Sequence, residues 1–404
     1  MNIKSRFVGF LCFFGLYELT VYLTNDMAMP AMLDVVRDFH GHPADVGLSL
    51  SLYIVGGSLL QIVLGPLAER YGERRILLAG NLLFLLATLA VPWCRTMDQF
   101  LAVRFVQGMG TCFVFIGYAV LHEALDDVAA VKATSLLANM GVFAPLVGPI
   151  VGSGLLGIAP WQAVFLLAAT LAAISLAGLV KFAPHRPPTR ERESLRALAA
   201  GIGHLLHNGS FLLGILISGL ALAPLTAWIG LSPAIVMGHL GQSRVVYVEY
   251  QAIIFAGFVV SSLWVQRLAD RLTMAELIRR GTTAALAGLL VAAAGTSATW
   301  LFVAGMATFS AGLGLFNGAL LRMTMVVSGS STRLASAVMS LLYCLCLAAG
   351  LELYNRIGAR FDYALAAYAW VSVPIGLLVF LLARRFVRAP VAANPRPAAA
   401  ALPA

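Results

Sequence analysis

The sequence predicts an all-α membrane protein with twelve transmembrane helices in two six-helix halves around a central cavity. Three observations predict it. Of 404 residues, 60% are hydrophobic and only 11% are charged, against roughly 25% charged in a soluble domain. The apolar residues fall into successive runs of about the 20 residues that a spanning helix needs. The basic residues crowd one alternating set of loops. A chain with this much apolar surface has no stable soluble form, whereas lipid lets a helix be apolar all round.

The apolar runs place spans near 7–34, 46–68, 76–94, 99–121, 132–157, 161–183, 208–236, 246–268, 278–297, 300–326, 334–355 and 362–386. Lys4 and Arg6 precede the first run as in a signal peptide. The run continues past Glu18 without a small-residue cleavage site, so an uncleaved first helix is expected. The longest connection is 184–207, with His185-Arg186-Pro187-Pro188 and Arg190-Glu191-Arg192-Glu193. It separates an N-terminal six-helix half, 1–183, from a C-terminal one, 208–386. The tail, 387–404, is rich in Ala and Pro and is expected to be disordered.

Orientation follows from the Lys and Arg residues. With both termini cytoplasmic, only Arg37, Arg95, Arg244, Arg356 and Arg360 fall outside and Arg104 lies within a span. The other 21 of the 27 fall inside, the bias that sets topology. The formal charge of +9 is therefore read as orientation, and no basic stretch with interleaved aromatics points to nucleic acid. Cys12, Cys94, Cys112, Cys344 and Cys346 form no CxxC pair and lie mostly in apolar runs. Neither disulfide nor metal is expected from them. The histidines lack metal-ligand spacing, and no phosphate-binding Gly-rich loop suggests ATP-driven pumping. An integral-membrane enzyme would need a nucleophile or metal cluster, and none is visible.

The halves echo each other. Leu67-Ala68-Glu69-Arg70 with Arg74-Arg75 follows the second span, and Leu268-Ala269-Asp270-Arg271 with Arg279-Arg280 follows the eighth. Two related halves facing a midplane site is a recurring transporter plan. Gly65-Pro66-Leu67-Ala68-Glu69-Arg70-Tyr71-Gly72-Glu73-Arg74-Arg75 resembles the loop 2–3 signature of the major facilitator superfamily, with Glu69 where Asp is usual. Arg104-Phe105-Val106-Gln107-Gly108 resembles the span-4 motif of its proton-coupled members. Gly141 through Gly148-Pro149 to Gly152 resembles the span-5 motif of its twelve-span drug/proton antiporters. Tyr17-Glu18-Leu19-Thr20-Val21-Tyr22-Leu23-Thr24-Asn25-Asp26-Met27 with Pro30 is similar to span 1 of the multidrug branch of that family.

The resemblance implies the major facilitator fold in the bacterial inner membrane, multi-pass and monomeric. It implies export of chemically diverse lipophilic neutral and cationic drugs, chloramphenicol among the candidates, against protons. No cofactor is then needed beyond the proton-motive force. The residues alone leave room for a carrier of one metabolite, or for a Na+ or K+/proton antiporter on the same fold.

The chemistry concentrates in span 1. Glu18 and Asp26 are eight residues apart, about 80° of rotation and about 12 Å of rise. Tyr22 lies between them, so Glu18, Tyr22, Asn25 and Asp26 can face one cavity. An ionised carboxylate at mid-span costs about 2.5–3.5 kcal/mol on insertion scales, so such groups usually line wet pathways or carry protons. The rival is a carboxylate paired to a neighbouring helix. Arg104 cannot realistically deprotonate and must be hydrated or paired. It is expected to tune the span-1 carboxylates and hold span 1 to span 4, with Gln107 in its network. Gly141, Pro145, Gly148, Pro149, Gly152, Gly154 and Gly157 suggest a closely packed, kinked span 5. Glu69, Arg70, Arg74 and Arg75 are expected to form a cytoplasmic latch. Glu352 and Glu123 are secondary proton-site candidates, and Asp34 and Asp38 are expected to be solvated. Tyr22, Met27, Met29, Phe143, Trp228 and Met237 are the expected pocket wall.

Overall fold

Lipid offers no partner to a backbone N–H or C=O, so each segment must close its hydrogen bonds internally. The computed structural model describes residues 3–124, 127–185, 195–268 and 271–388, and every regular element among them is helical. In the N-terminal half, α1 (Ile3–Ala28) continues through a 3-10 turn (Met29–Ala31) into α2 (Met32–Asp38). Pro30 lies at its second residue and, having no N–H, interrupts the α-helical bonding there. α3 (Ala44–Leu59) and α4 (Gln61–Tyr71) form one span bent by 42°. Then come α5 (Glu73–Ala90), α6 (Met97–Thr111), α7 (Val114–Ala124), α8 (Asp127–Leu156) and α9 (Gln162–Phe182).

After α10 (Leu195–His207) the second half runs α11 (Gly209–Ser232), α12 (Arg244–Leu268), α13 (Met274–Ala294), α14 (Thr299–Val326), α15 (Thr332–Arg360) and α16 (Leu365–Arg388). A π-helical stretch, Pro233–His239, extends α11. Among the described residues ten helices are long and apolar enough to cross a membrane, or eleven with the bent pair taken as one span. The remaining expected span, 132–157, falls on α8, whose Phe143–Leu156 is apolar. The protein is a multi-pass membrane protein. The tail beyond Arg388 and most of the charged run before α10 lie outside the described residues.

Polar caps mark where several helices begin. Thr96 accepts from the Gln99 N–H, Asn208 from the Phe211 N–H, and Thr273 with Glu276 forms a reciprocal capping box. Close helix crossings use small residues, as membrane packing requires. A Cβ on Gly56 would strike the Phe105 carbonyl, and one on Gly108 the Tyr53 carbonyl, at the α3–α6 crossing. The corresponding crossing of the second half, α12–α14, repeats the device: Gly257 abuts the Ala307 carbonyl and Gly314 abuts Ser261.

The connection 184–207, read from sequence as a loop, contains a helix. In α10 the apolar Leu195, Leu198, Ile202 and Leu205 recur at helical spacing. Leu205 is fully buried in a cluster with Phe211, Ile215, Ala335 and Val338. Between the halves, α15 packs on α3 and α4, α11 on α3, and α12 on α8.

Candidate functional site

α1 runs through the middle of the N-terminal half and packs on α8 and α9. Its carboxyls are enclosed: Glu18 is 2% exposed and Asp26 6%. Tyr118 of α7 donates to Glu18 Oε1 at 2.6 Å, while Glu18 Oε2 is buried with no hydrogen-bond partner among the described residues. A proton on that oxygen, or a donor brought by a ligand, would satisfy it; a bare buried charge there would be costly. Asp26 lies beside Asn25 and within electrostatic range of Arg104. Tyr22, between the two carboxyls, is half-exposed and its ring lies against Gly141 of α8.

Arg104 is fully buried, and its direct partners are neutral. Its Nε donates to Ser49 Oγ at 3.1 Å, one terminal nitrogen to Gln107, and the other to Asn25 Oδ1 at 2.6 Å. The guanidinium stacks over the Tyr53 ring, 4.5 Å from its centroid, a favourable cation–π placement. Gln107 passes the chain on to Thr88 of α5 at 2.8 Å. So Arg104 ties α1, α3, α5 and α6 into one polar network, and it grips span 1 through Asn25. Asp26 feels its field without an ion pair among the described residues. Only a planar fork reaches these divergent partners together. Arg104→Lys is therefore expected to reduce transport by about tenfold or more, because each lost bond from a charged donor is worth about 1.5–3 kcal/mol. Export assays with matched expression check this; full activity would contradict it.

The α8 glycines meet span 1 where the carboxyls are. A Cβ on Gly148 would overlap Asp26 Cβ and lie 3.0 Å from its carbonyl carbon. One on Gly152 would overlap the Met27 carbonyl oxygen. Gly141, Gly148 and Gly152 thus form the surface on which Tyr22, Asp26 and Met27 rest. α8 carries Pro145 and Pro149 inside an uninterrupted helix. Gly154 has open space around it and Gly157 is nearly as free, so the small residues of α8 are not equivalent.

The motif at the α4–α5 turn divides its work. Gly72 has φ +88°, which favours glycine and sets the reversal. Glu69 pairs with Arg333 at the start of α15, bridging the two halves. Arg74 donates to the Val180 and Ala183 carbonyls at the end of α9 and touches His185. Arg70 stacks on Tyr71, Arg75 is exposed, and Gly65 has open space. Of the four charged residues expected in a latch, Glu69 makes a bridge to the other half.

Asp34 and Asp38, expected to be solvated, are engaged. Asp34 pairs with Arg244 of α12 at 3.0 Å, both about one-third exposed, and Asp38 accepts from Trp161 Nε1 at 2.7 Å. The halves are therefore bridged by ion pairs at both ends of the bundle. Asn355 of α15 adds a hydrogen bond to the Ala44 carbonyl at 2.8 Å. Glu352 pairs with Arg356 one turn on, leaving Oε2 buried and unpartnered. The Glu123 side chain lies outside the described residues. Of the expected pocket wall, Met27, Met29 and Trp228 are buried in packed core, while Tyr22, Phe143 and Met237 keep exposed surface. Among the described residues no three His, Cys, Asp or Glu gather as metal ligands.

The sequence reading missed Tyr118, Ser49, Tyr53 and Thr88. Ser49 and Tyr53 are four residues apart on α3, so a polar stripe was visible there; nothing local marked Tyr118.

Known proteins resemble this chain in sequence and in fold. The Major Facilitator Superfamily model matches residues 14–351. The multidrug transporter MdfA of Yersinia pestis bv. Antiqua (strain Angola) is 36% identical over 361 residues, covering 88% of this chain and 86% of that protein. The MdfA of Escherichia coli O157:H7 is 38% identical over 345 residues, 84% of each chain. Among solved structures, a D-xylose–proton symporter superposes with a TM-score of 0.77 at 13% identity, covering 94% of this chain and 98% of that one. The nucleoside transporter NupG gives 0.72 at 13% identity, with 96% and 99% covered. At such identities the structural likeness speaks for the fold alone. The chain belongs to the Major Facilitator Superfamily.

Proposed function

We propose that this protein is a drug/proton antiporter of the bacterial inner membrane, exporting lipophilic neutral and cationic molecules by alternating access, with both termini cytoplasmic. The observation that carries the reading is the enclosed pair Glu18 and Asp26 on α1, one with an unpartnered oxygen, beside an arginine whose direct partners are neutral. Such a pair can exchange protons for cargo. The likeness to multidrug transporters over most of the chain supports diverse cargo.

The cycle uses this chain's own groups. Facing outward, Asp26 or Glu18 takes a proton and cargo leaves. The Asp34–Arg244 bridge then closes the outer end as the Glu69–Arg333 bridge opens the inner one. Facing the cytoplasm, the proton departs and cargo enters against Tyr22 and the α8 surface. Proton and cargo compete for one acidic cavity, and that competition is the coupling.

Solubilised protein in weak buffer should release protons on addition of either chloramphenicol or ethidium. Release with both supports the reading. Binding of both without release would make the protein an uncoupled carrier and overturn it.

A further inference from the structure

The C-terminal half carries a buried polar group that the proton-coupling residues do not use. Ser232 ends α11, Tyr247 and Gln251 lie one turn apart on α12, and all three are at most 1% exposed. Gln251 Nε2 donates to Tyr247 Oη at 3.3 Å. That bond fixes the amide and leaves Gln251 Oε1 buried without a partner among the described residues. Ser232 Oγ is likewise buried and makes no close hydrogen bond among the described residues; the Tyr247 hydroxyl lies at the margin of its reach. Unsatisfied buried polar atoms are costly and uncommon in folded proteins, so two in one neighbourhood need a reason.

Their position supplies one. Tyr247 lies within electrostatic range of Asp26 of the other half, and Ser232 is also close to Tyr247. α11 meets α3 directly beside Ser232: a Cβ on Gly47 would lie 2.7 Å from Leu231, and one on Gly230 would lie 3.1 Å from Leu50. α12 packs on α8, the helix that supports Asp26. The polar group thus sits where the halves meet. Ser232 is also where α-helical bonding stops. Pro233 has no N–H and opens the seven-residue π-helical stretch, a distortion frequent at functional sites.

We propose that Ser232, Tyr247 and Gln251 form a hydrogen-bonding subsite for neutral substrates that carry hydroxyl or amide groups. Gln251 Oε1 accepts from a substrate O–H or N–H, and Ser232 Oγ donates or accepts. A lipophilic cation without such groups gains nothing there and relies on the span-1 carboxyls. The subsite rests on the transport reading above and adds to it a division of the cavity by cargo chemistry. The N-terminal half answers charge, and the C-terminal half answers hydrogen-bonding groups.

The test uses the purified full-length protein and two probes, chloramphenicol, which has hydroxyls and an amide, and tetraphenylphosphonium, which has neither. Ser232→Ala, Tyr247→Phe and Gln251→Met each remove polar atoms while nearly keeping volume. Each is expected to weaken chloramphenicol binding by about three- to tenfold and to change tetraphenylphosphonium binding less than about twofold. Retained tetraphenylphosphonium binding also reports that each variant is folded. Unchanged chloramphenicol binding in all three overturns the subsite. A parallel loss of both probes also overturns it and assigns these residues to packing. If the unmodified protein binds neither probe, the transport reading itself fails, a result distinct from selective failure of the subsite.

Discussion

Asp26→Asn is expected to abolish proton-coupled export while leaving the protein folded. Asn keeps the shape of the side chain against Gly148, where an added Cβ already has no room. It removes only the titratable group. The Arg104 network survives, because Arg104 binds Asn25, Ser49 and Gln107 rather than Asp26. Replacing an enclosed carboxyl by a neutral amide also removes a desolvation cost, so stability is expected to be unchanged or higher. The measurement is drug efflux from cells together with thermal unfolding of the purified variant. Loss of efflux with an unchanged melting temperature matches the account. Unfolding would make Asp26 structural, and full efflux would remove it from the proton path.

Gly148→Ala is expected to impair both stability and transport, although it adds a single methyl group. That methyl would overlap Asp26 Cβ, lie 3.0 Å from the Asp26 carbonyl carbon and lie 3.1 Å from the Met27 nitrogen. Ordinary carbon contacts are about 3.5–4.0 Å. Two of these atoms are backbone, so α1 and α8 must separate. Overpacking of this kind costs about 1–3 kcal/mol, against a helix-propensity gain of about 1 kcal/mol for Ala over Gly. The displaced residue is Asp26 itself, so export is expected to fall more than stability does. Gly154→Ala on the same helix is the control. Nothing lies within 4 Å of a Cβ there, and the change is expected to be neutral or to stabilise by up to about 1 kcal/mol. Thermal shift and efflux of the two variants side by side check this. Similar behaviour would mean that the α1–α8 contact is not the tight one described.

Much of the site was legible in the sequence because it lies on single helices. The spacing from Glu18 to Asp26, the lone intramembrane Arg104 and the glycines of span 5 are one-dimensional signals, since lipid makes every polar or small residue conspicuous. The partners were less legible. Tyr118 reaches Glu18 across 100 positions, and Arg244 reaches Asp34 across 210. Local hydropathy treats Asp34 as a solvated residue at a span end because it contains nothing of the other half. The α10 helix was missed since its run is too short to span. Its buried face is defined by Phe211 and Val338, which only the fold supplies. Several span ends moved for a simpler reason. Span 11, expected over 334–355, runs from Thr332 to Arg360, because helical bonding continues into the polar margin after hydropathy has faded.

The central claim is that cargo and protons exchange at Glu18 and Asp26. The most direct test places purified protein in liposomes with an imposed pH gradient and follows lumenal pH as chloramphenicol or ethidium is added. Each drug is expected to trigger proton movement in the unmodified protein, and neither is expected to do so in Asp26→Asn. Proton movement that persists in Asp26→Asn, or no response to either drug from intact protein under a maintained gradient, would contradict it.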